Sequence, residues 1–184
     1  MKKVTSIMAL LSILMLPFNK SQANPPGTSG ATTFWLSVSE VNQLVSSGAS
    51  TIKIFAASDP AGNLCYLMVG GDDSYNTLPG TVYMQNNKGV CPPMCDFSGV
   101  DLNAPNNVTI DATVAQTYVD AYQGQYAGTK NCVKFTVSSL SNIRSNSTYI
   151  KVTVSSATAA GLKSDGTAVS RATATGTAAT ADLL

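Results

Sequence analysis

"TIKIFAASDPAGNLCYLMVGG", Thr51 to Gly71, decides the fold. Its first eight residues begin with apolar and polar positions in alternation, the period of a strand. "DPAGN", Asp59 to Asn63, carries turn residues. "LCYLMVGG" is a second apolar run. Two such runs joined by five turn residues read as a β-hairpin, which makes the strands antiparallel.

Upstream, Phe34, Trp35 and Leu36 suit a short strand. Ser37 and Glu40 then have capping-box spacing, so each side chain reaches an orphan amide of a first helical turn. Leu36 and Val41 sit where a hydrophobic staple would. Val41, Leu44 and Val45 recur at helical spacing and Gly48 suits the position after a helix. The spacing predicts a helix over 38–47. Downstream, "TVYMQ" predicts a third strand and "DATVAQTYVDAYQGQY" a second helix. There Thr113 and Gln116 repeat the capping-box spacing, and Val114, Tyr118 and Tyr122 share a face. "CVKFTVS" from Cys132 is a strand, "SLSNIRS" one or two helical turns, and "STYIKVTVSS" the clearest alternation in the chain. Hairpins followed by helices, without regular βαβ alternation, predict an α+β fold. The expectation is a two-layer sandwich: a mainly antiparallel sheet with two helices on one face, stapled by disulfides.

The two ends read differently. Lys2 and Lys3 precede the apolar run "VTSIMALLSILMLPF", and "SQA" ends at Ala23. Residues 1–23 therefore read as a secretory signal, in a style that suggests a bacterium. Residues 24–31 read as a flexible Pro/Gly leader and 32–156 as the α+β domain. From 157 to 184 Ala, Thr, Gly and Ser dominate, which predicts an edge strand at "AVSRATATG" or a loose tail. Cutting 23 of the 184 residues leaves 161, enough for one well-buried core. Three of the eleven basic residues leave with the signal, so eight face ten acidic ones. No basic field remains for nucleic acid, and no stable membrane span after cleavage. Export places the protein in the periplasm or outside the cell.

The chain has no histidine. Ser-His-Asp and Cys-His catalysis and His-ligated zinc are excluded. Glu40 is the only glutamate and serves as a cap. Asp72 and Asp73 are adjacent in a Gly/Ser/Asn loop, a pattern of solvated turns more than of a catalytic pair. Ser50 and Lys53 match S-x-x-K, but on a strand that spacing sends them to opposite faces.

Four cysteines, Cys65, Cys91, Cys95 and Cys132, invite two disulfides in an exported chain. Cys91 and Cys95 bracket "PPM". "CPPMC" resembles the C-P-x-x-C loop of thioredoxin-fold copper chaperones for cytochrome oxidase assembly, which implies sulfur ligation of Cu(I) by Cys91, Cys95 and Met94. The resemblance covers five residues, and the histidine that family uses is absent. The spacing is also not the C-x-x-C of thiol oxidoreductases. The structural reading is a Pro-rich loop tied to Cys65 or Cys132, or closed on itself, each bridge contributing about 2–4 kcal/mol.

These exclusions predict a small exported binding or interaction module without catalytic residues, metal or cofactor, for a protein or glycan partner. The alternatives are a carboxylate-dependent cell-envelope hydrolase and a thiol-based copper or redox carrier. Candidate binding residues are Asp72, Asp73, Tyr75, Met94, Tyr118 and Tyr122, with the contact regions in the loops 72–79 and 91–101.

Overall fold

The computed structural model describes residues 30–31, 33–78, 83–86, 89–91 and 108–178. The fold is α+β with antiparallel sheets and three helices among these residues. The strands are β1 (Thr33–Ser37), β2 (Thr51–Ser58), β3 (Leu64–Gly71), β4 (Tyr83–Asn86), β5 (Val90–Cys91), β6 (Val108–Ile110), β7 (Cys132–Thr136), β8 (Tyr149–Thr153), β9 (Thr158–Leu162), β10 (Ala168–Thr173) and β11 (Gly176–Ala178). The helices are α1 (Val38–Ser46), α2 (Ala112–Gln125) and α3 (Ser141–Asn146). The opening hairpin forms as its residues dictate: β2 and β3 pair from Thr51↔Gly71 to Ser58↔Leu64. Asp59 closes the turn by accepting from the amides of Ala61 and Asn63.

The expected single sheet is in fact two. One runs β10-β9-β8-β1-β5, the other β11-β7-β2-β3-β4-β6. Their facing sides make the main core. Phe34 and Leu36 of β1 and Ile150 and Val152 of β8 meet Ile52 and Ile54 of β2, Tyr66 and Met68 of β3, and Phe135 of β7. The Phe34 and Tyr66 rings lie 5.8 Å apart across the sandwich. The signal of a second sheet was hidden in β2. Every one of its eight residues is buried, including Lys53, so both faces of this strand are covered. Ile52, Ile54 and Ala56 face the other sheet, while Phe55 and Ala57 join Cys65, Leu67, Val69 and Cys132 beneath α2.

α1 carries the chain from β1 in one sheet to β2 in the other. Its capping box forms as the spacing predicts: Ser37 Oγ accepts from the Glu40 amide and Glu40 Oε2 from the Ser37 amide, at 3.1 and 2.9 Å. Glu40 does more than cap. It is only 2% exposed and also accepts a 3.0 Å bond from the Tyr66 hydroxyl. A helix end in one segment is thereby tied to the centre of β3. Val38, Val41 and Leu44 fill the same core.

α2 departs from expectation in its register. Asp111, not Thr113, is the cap, accepting from the Thr113 amide at 2.7 Å. The buried face is Ala115, Val119 and Tyr122, and Val114 is exposed. An aspartate directly before the helix bonds the second amide without needing a partner at N3. Three strands, β9 to β11, lie between residues 158 and 178. β10 (Ala168–Thr173) lies at the edge of its sheet, and β9 inserts between it and β8, burying Ala159 and Leu162. Small residues permit this because β9 packs through backbone proximity: a Cβ at Gly161 would strike Ser147 Oγ. Gly30 and Ala31, the end of the expected leader, are buried against the α2 end.

Replacing Glu40 with Ala removes the cap and the bond that Glu40 accepts from the buried Tyr66 hydroxyl, so it destabilises by about 2–4 kcal/mol. Glu40→Gln, which can still accept, costs less. Urea unfolding of both variants and of Tyr66→Phe measures this; equal losses for Ala and Gln would contradict the tie.

Candidate functional sites

Among the described residues, two places gather chemistry-bearing side chains. The first is the part of the outer face of the six-stranded sheet that α2 leaves uncovered. There Lys53 of β2 stands directly opposite Lys134 of β7. The loop after β3 folds back over them. Its closeness is visible at Gly71, where any Cβ would press on Thr51 Oγ1 and the Asn76 carbonyl. Lys53 Nζ donates to Thr77 Oγ1 at 2.8 Å, and Lys134 Nζ lies 5.7 Å from the Tyr75 ring centre, within cation–π range. The Tyr75 hydroxyl donates to Thr175 Oγ1 at 2.5 Å, joining this loop to the segment before β11.

The predicted residues Asp72, Asp73 and Tyr75 all belong to this loop. Asp72 is its organiser: Oδ1 accepts from the amides of Ser74 and Asn76, and Oδ2 from the Asn76 side chain. These bonds, the Asn76 side chain first, hold its carboxyl below the ordinary value. A carboxylate so engaged is a weak base and a poor proton donor at neutral pH. Asp73 is an exposed turn residue. Tyr75 takes a positive φ of 64°, a conformation uncommon outside glycine, and is held there by its two contacts. The lysines escaped sequence reading because strand alternation places Lys53 on a nominally solvent face, and only the fold shows that face to be closed.

Burial holds the Lys53 ammonium below its ordinary value of 10.5. Lys134 pushes in the same direction, while Asp72 opposes both.

The second place is the C-terminal end of α2 with the turn that follows. A cavity of about 410 Å³ opens there, walled by residues including Asp120, Gln123, Tyr126, Thr129 and Asn131. Tyr122 is fully buried behind it, its ring 4.7 Å from that of Tyr126. Burial pushes the Tyr122 phenol above its ordinary value. Tyr126 is the helix's C-terminal cap residue, its amide bonded to the Tyr122 carbonyl. Asn131 is 1% exposed, yet neither its Oδ1 nor its Nδ2 has a hydrogen-bond partner among the described residues; Gln123 Nε2 also lacks one. Of the predicted tyrosines, Tyr122 lines this cavity and Tyr118 packs against the apolar cluster beneath α2. Asn131 carries no motif and no sequence signal marked it.

The cysteines divide. Cys65 and Cys132 are buried thiols, so the expected bridge to either is not made. They share a sheet face, but β2 runs between their strands. Two strand spacings are about 10 Å, beyond the roughly 4.4–6.8 Å Cα separation of a disulfide. Burial raises the Cys132 pKa to about 12, which leaves it inert as a nucleophile or soft ligand. Cys91 is buried on β5 beside Trp35, Tyr149 and Leu162. Met94, Cys95 and the loop 92–101 lie outside the described residues. Among those described, no cluster of three metal-ligating residues occurs, and no helix is long and apolar enough to cross a membrane. No family model, curated protein or solved structure matches this chain.

The Lys53 environment is directly measurable. In an NMR titration the Lys53 side chain should lose its proton below 10.5. Above that folded-state pKa the unfolded chain binds more protons, so this residue's contribution makes stability rise with pH until the unfolded lysine titrates too. Removing the charge in Lys53→Met should abolish that rise; a Lys53 midpoint at or above 10.5 would contradict the burial described here.

Proposed function

We propose that the chain is an exported, non-enzymatic binding module whose ligand enters the cavity at the end of α2. The single observation that carries this is Asn131: a buried carboxamide with both polar atoms unpaired, on the wall of a 410 Å³ cavity. Leaving a buried donor or acceptor unsatisfied costs about 1–3 kcal/mol, and sites of binding are where such a cost is recovered. The cavity lies near the lower end of the usual range for small-ligand pockets, about 300–1,000 Å³. Export rests on Lys2, Lys3, the apolar run and the small residues before Asn24.

Within this reading the Pro-rich loop closes on itself through a Cys91–Cys95 bridge. What supports it is that Cys65 and Cys132 are thiols while Cys91 is not, which leaves Cys95 as the remaining cysteine. Such a loop would begin beside Trp35, on the outer face of the five-stranded sheet. The bridge is a staple of shape, not a reactive pair.

Screening of the purified, processed protein against a library of small fragments, read by amide chemical shifts, tests the proposal. At least one class of fragment should move the amides of Tyr126, Gly128, Thr129 and Asn131 saturably. A library that leaves these four unmoved while another surface responds would overturn the placement.

A further inference from the structure

Resting on that reading of the cavity, we propose that its ligand is a neutral sugar, taken one pyranose ring at a time. The donor and acceptor inventory leads there. Asn131 offers two unpaired donors and one unpaired acceptor, and Gln123 Nε2 adds further donors. A ligand that satisfies them must accept and donate within one small volume. An ammonium brings no acceptor. A phosphate or carboxylate brings no donor, and it would meet the wrong field. Among the described residues no Lys or Arg lines the cavity, Asp120 is one of its walls, and α2 ends here with no basic residue in its last turn. Each of these disfavours an anion. A hydroxyl is donor and acceptor at once, and a ring carrying several would satisfy both the helix residue Gln123 and the loop residue Asn131 once their buried carboxamides turn toward the cavity.

The apolar side of the cavity fits the same ligand. Tyr126 is half-buried, tilted by 33° against Tyr122 behind it. The two rings cover one another, leaving no slot for a flat aromatic ligand between them. Tyr126 also lines the cavity, and an aromatic wall suits the C–H face of a pyranose while the hydroxyl rim turns toward the carboxamides. The size admits one ring and part of a second.

The test is a titration of the processed protein with methyl glycosides of neutral hexoses and with N-acetylglucosamine. Parallel arms use N-methylacetamide, adenosine, choline and inorganic phosphate. At least one sugar should shift the Tyr126, Gly128 and Thr129 amides with a dissociation constant in the millimolar range, about what one ring in one pocket yields. Asn131→Ala should weaken that binding about tenfold or more. This variant should fold, because the Asn131 side chain makes no hydrogen bond among the described residues that its removal would break. Gln123→Ala, at a half-buried helix position, provides a second variant, with a smaller loss expected. If the amide or nucleoside probe binds in an Asn131-dependent way and no sugar does, the sugar assignment is overturned and the binding-module reading stands. If no probe shifts these amides, both fall.

Discussion

The structure depends on one constraint: β2 is covered on both faces. A strand in a half-solvated sheet needs apolar residues only at alternate positions, whereas β2 buries all eight. Its inner face drives the second sheet into place, since Ile52, Ile54 and Ala56 require a partner layer. Its outer face demands a cover over Phe55 and Ala57, which α2 supplies. Further along that face sits Lys53, whose charge α2 could not cover. The polar loop around Asp72 does so instead, offering Thr77 as acceptor and placing the Tyr75 ring against the neighbouring Lys134.

Both candidate sites follow from how that cover is divided. α2 is amphipathic along Ala115, Val119 and Tyr122, and its last turn reaches past the sheet so that Tyr122 and Tyr126 join the inter-sheet core at its end. The cavity beside Asn131 lies between that helix end and the turn that follows it. The opposite part of the face is filled by the folded-back loop, leaving the lysines engaged within it.

Much of this was legible in the residues themselves. The hairpin, the Ser37–Glu40 cap and the alternation at Tyr149–Val154 depend on local chemistry, and each element appears where that chemistry puts it. What stayed hidden depends on distant partners. Lys53 reads as a solvent position until the loop is known to fold over it. β9 is built from "TAAGL", whose small residues give no strand signal, because its pairing rests on close backbone approach to β8. Asn131 gives no local sign of being buried. The cysteines point the same way: an even count invites pairing, yet Cys65 and Cys132 are held on either side of β2 and never meet.

Native-state hydrogen exchange tests the double burial of β2 most directly. Its amides pair with β3 on one side and β7 on the other. Those from Ile52 to Phe55 should therefore exchange only through global unfolding, with protection equal to the full unfolding free energy, while the edge strands β10 and β11 open more readily. If the β2 amides exchanged as fast as those of the edge strands, the central strand would not be the covered core described here.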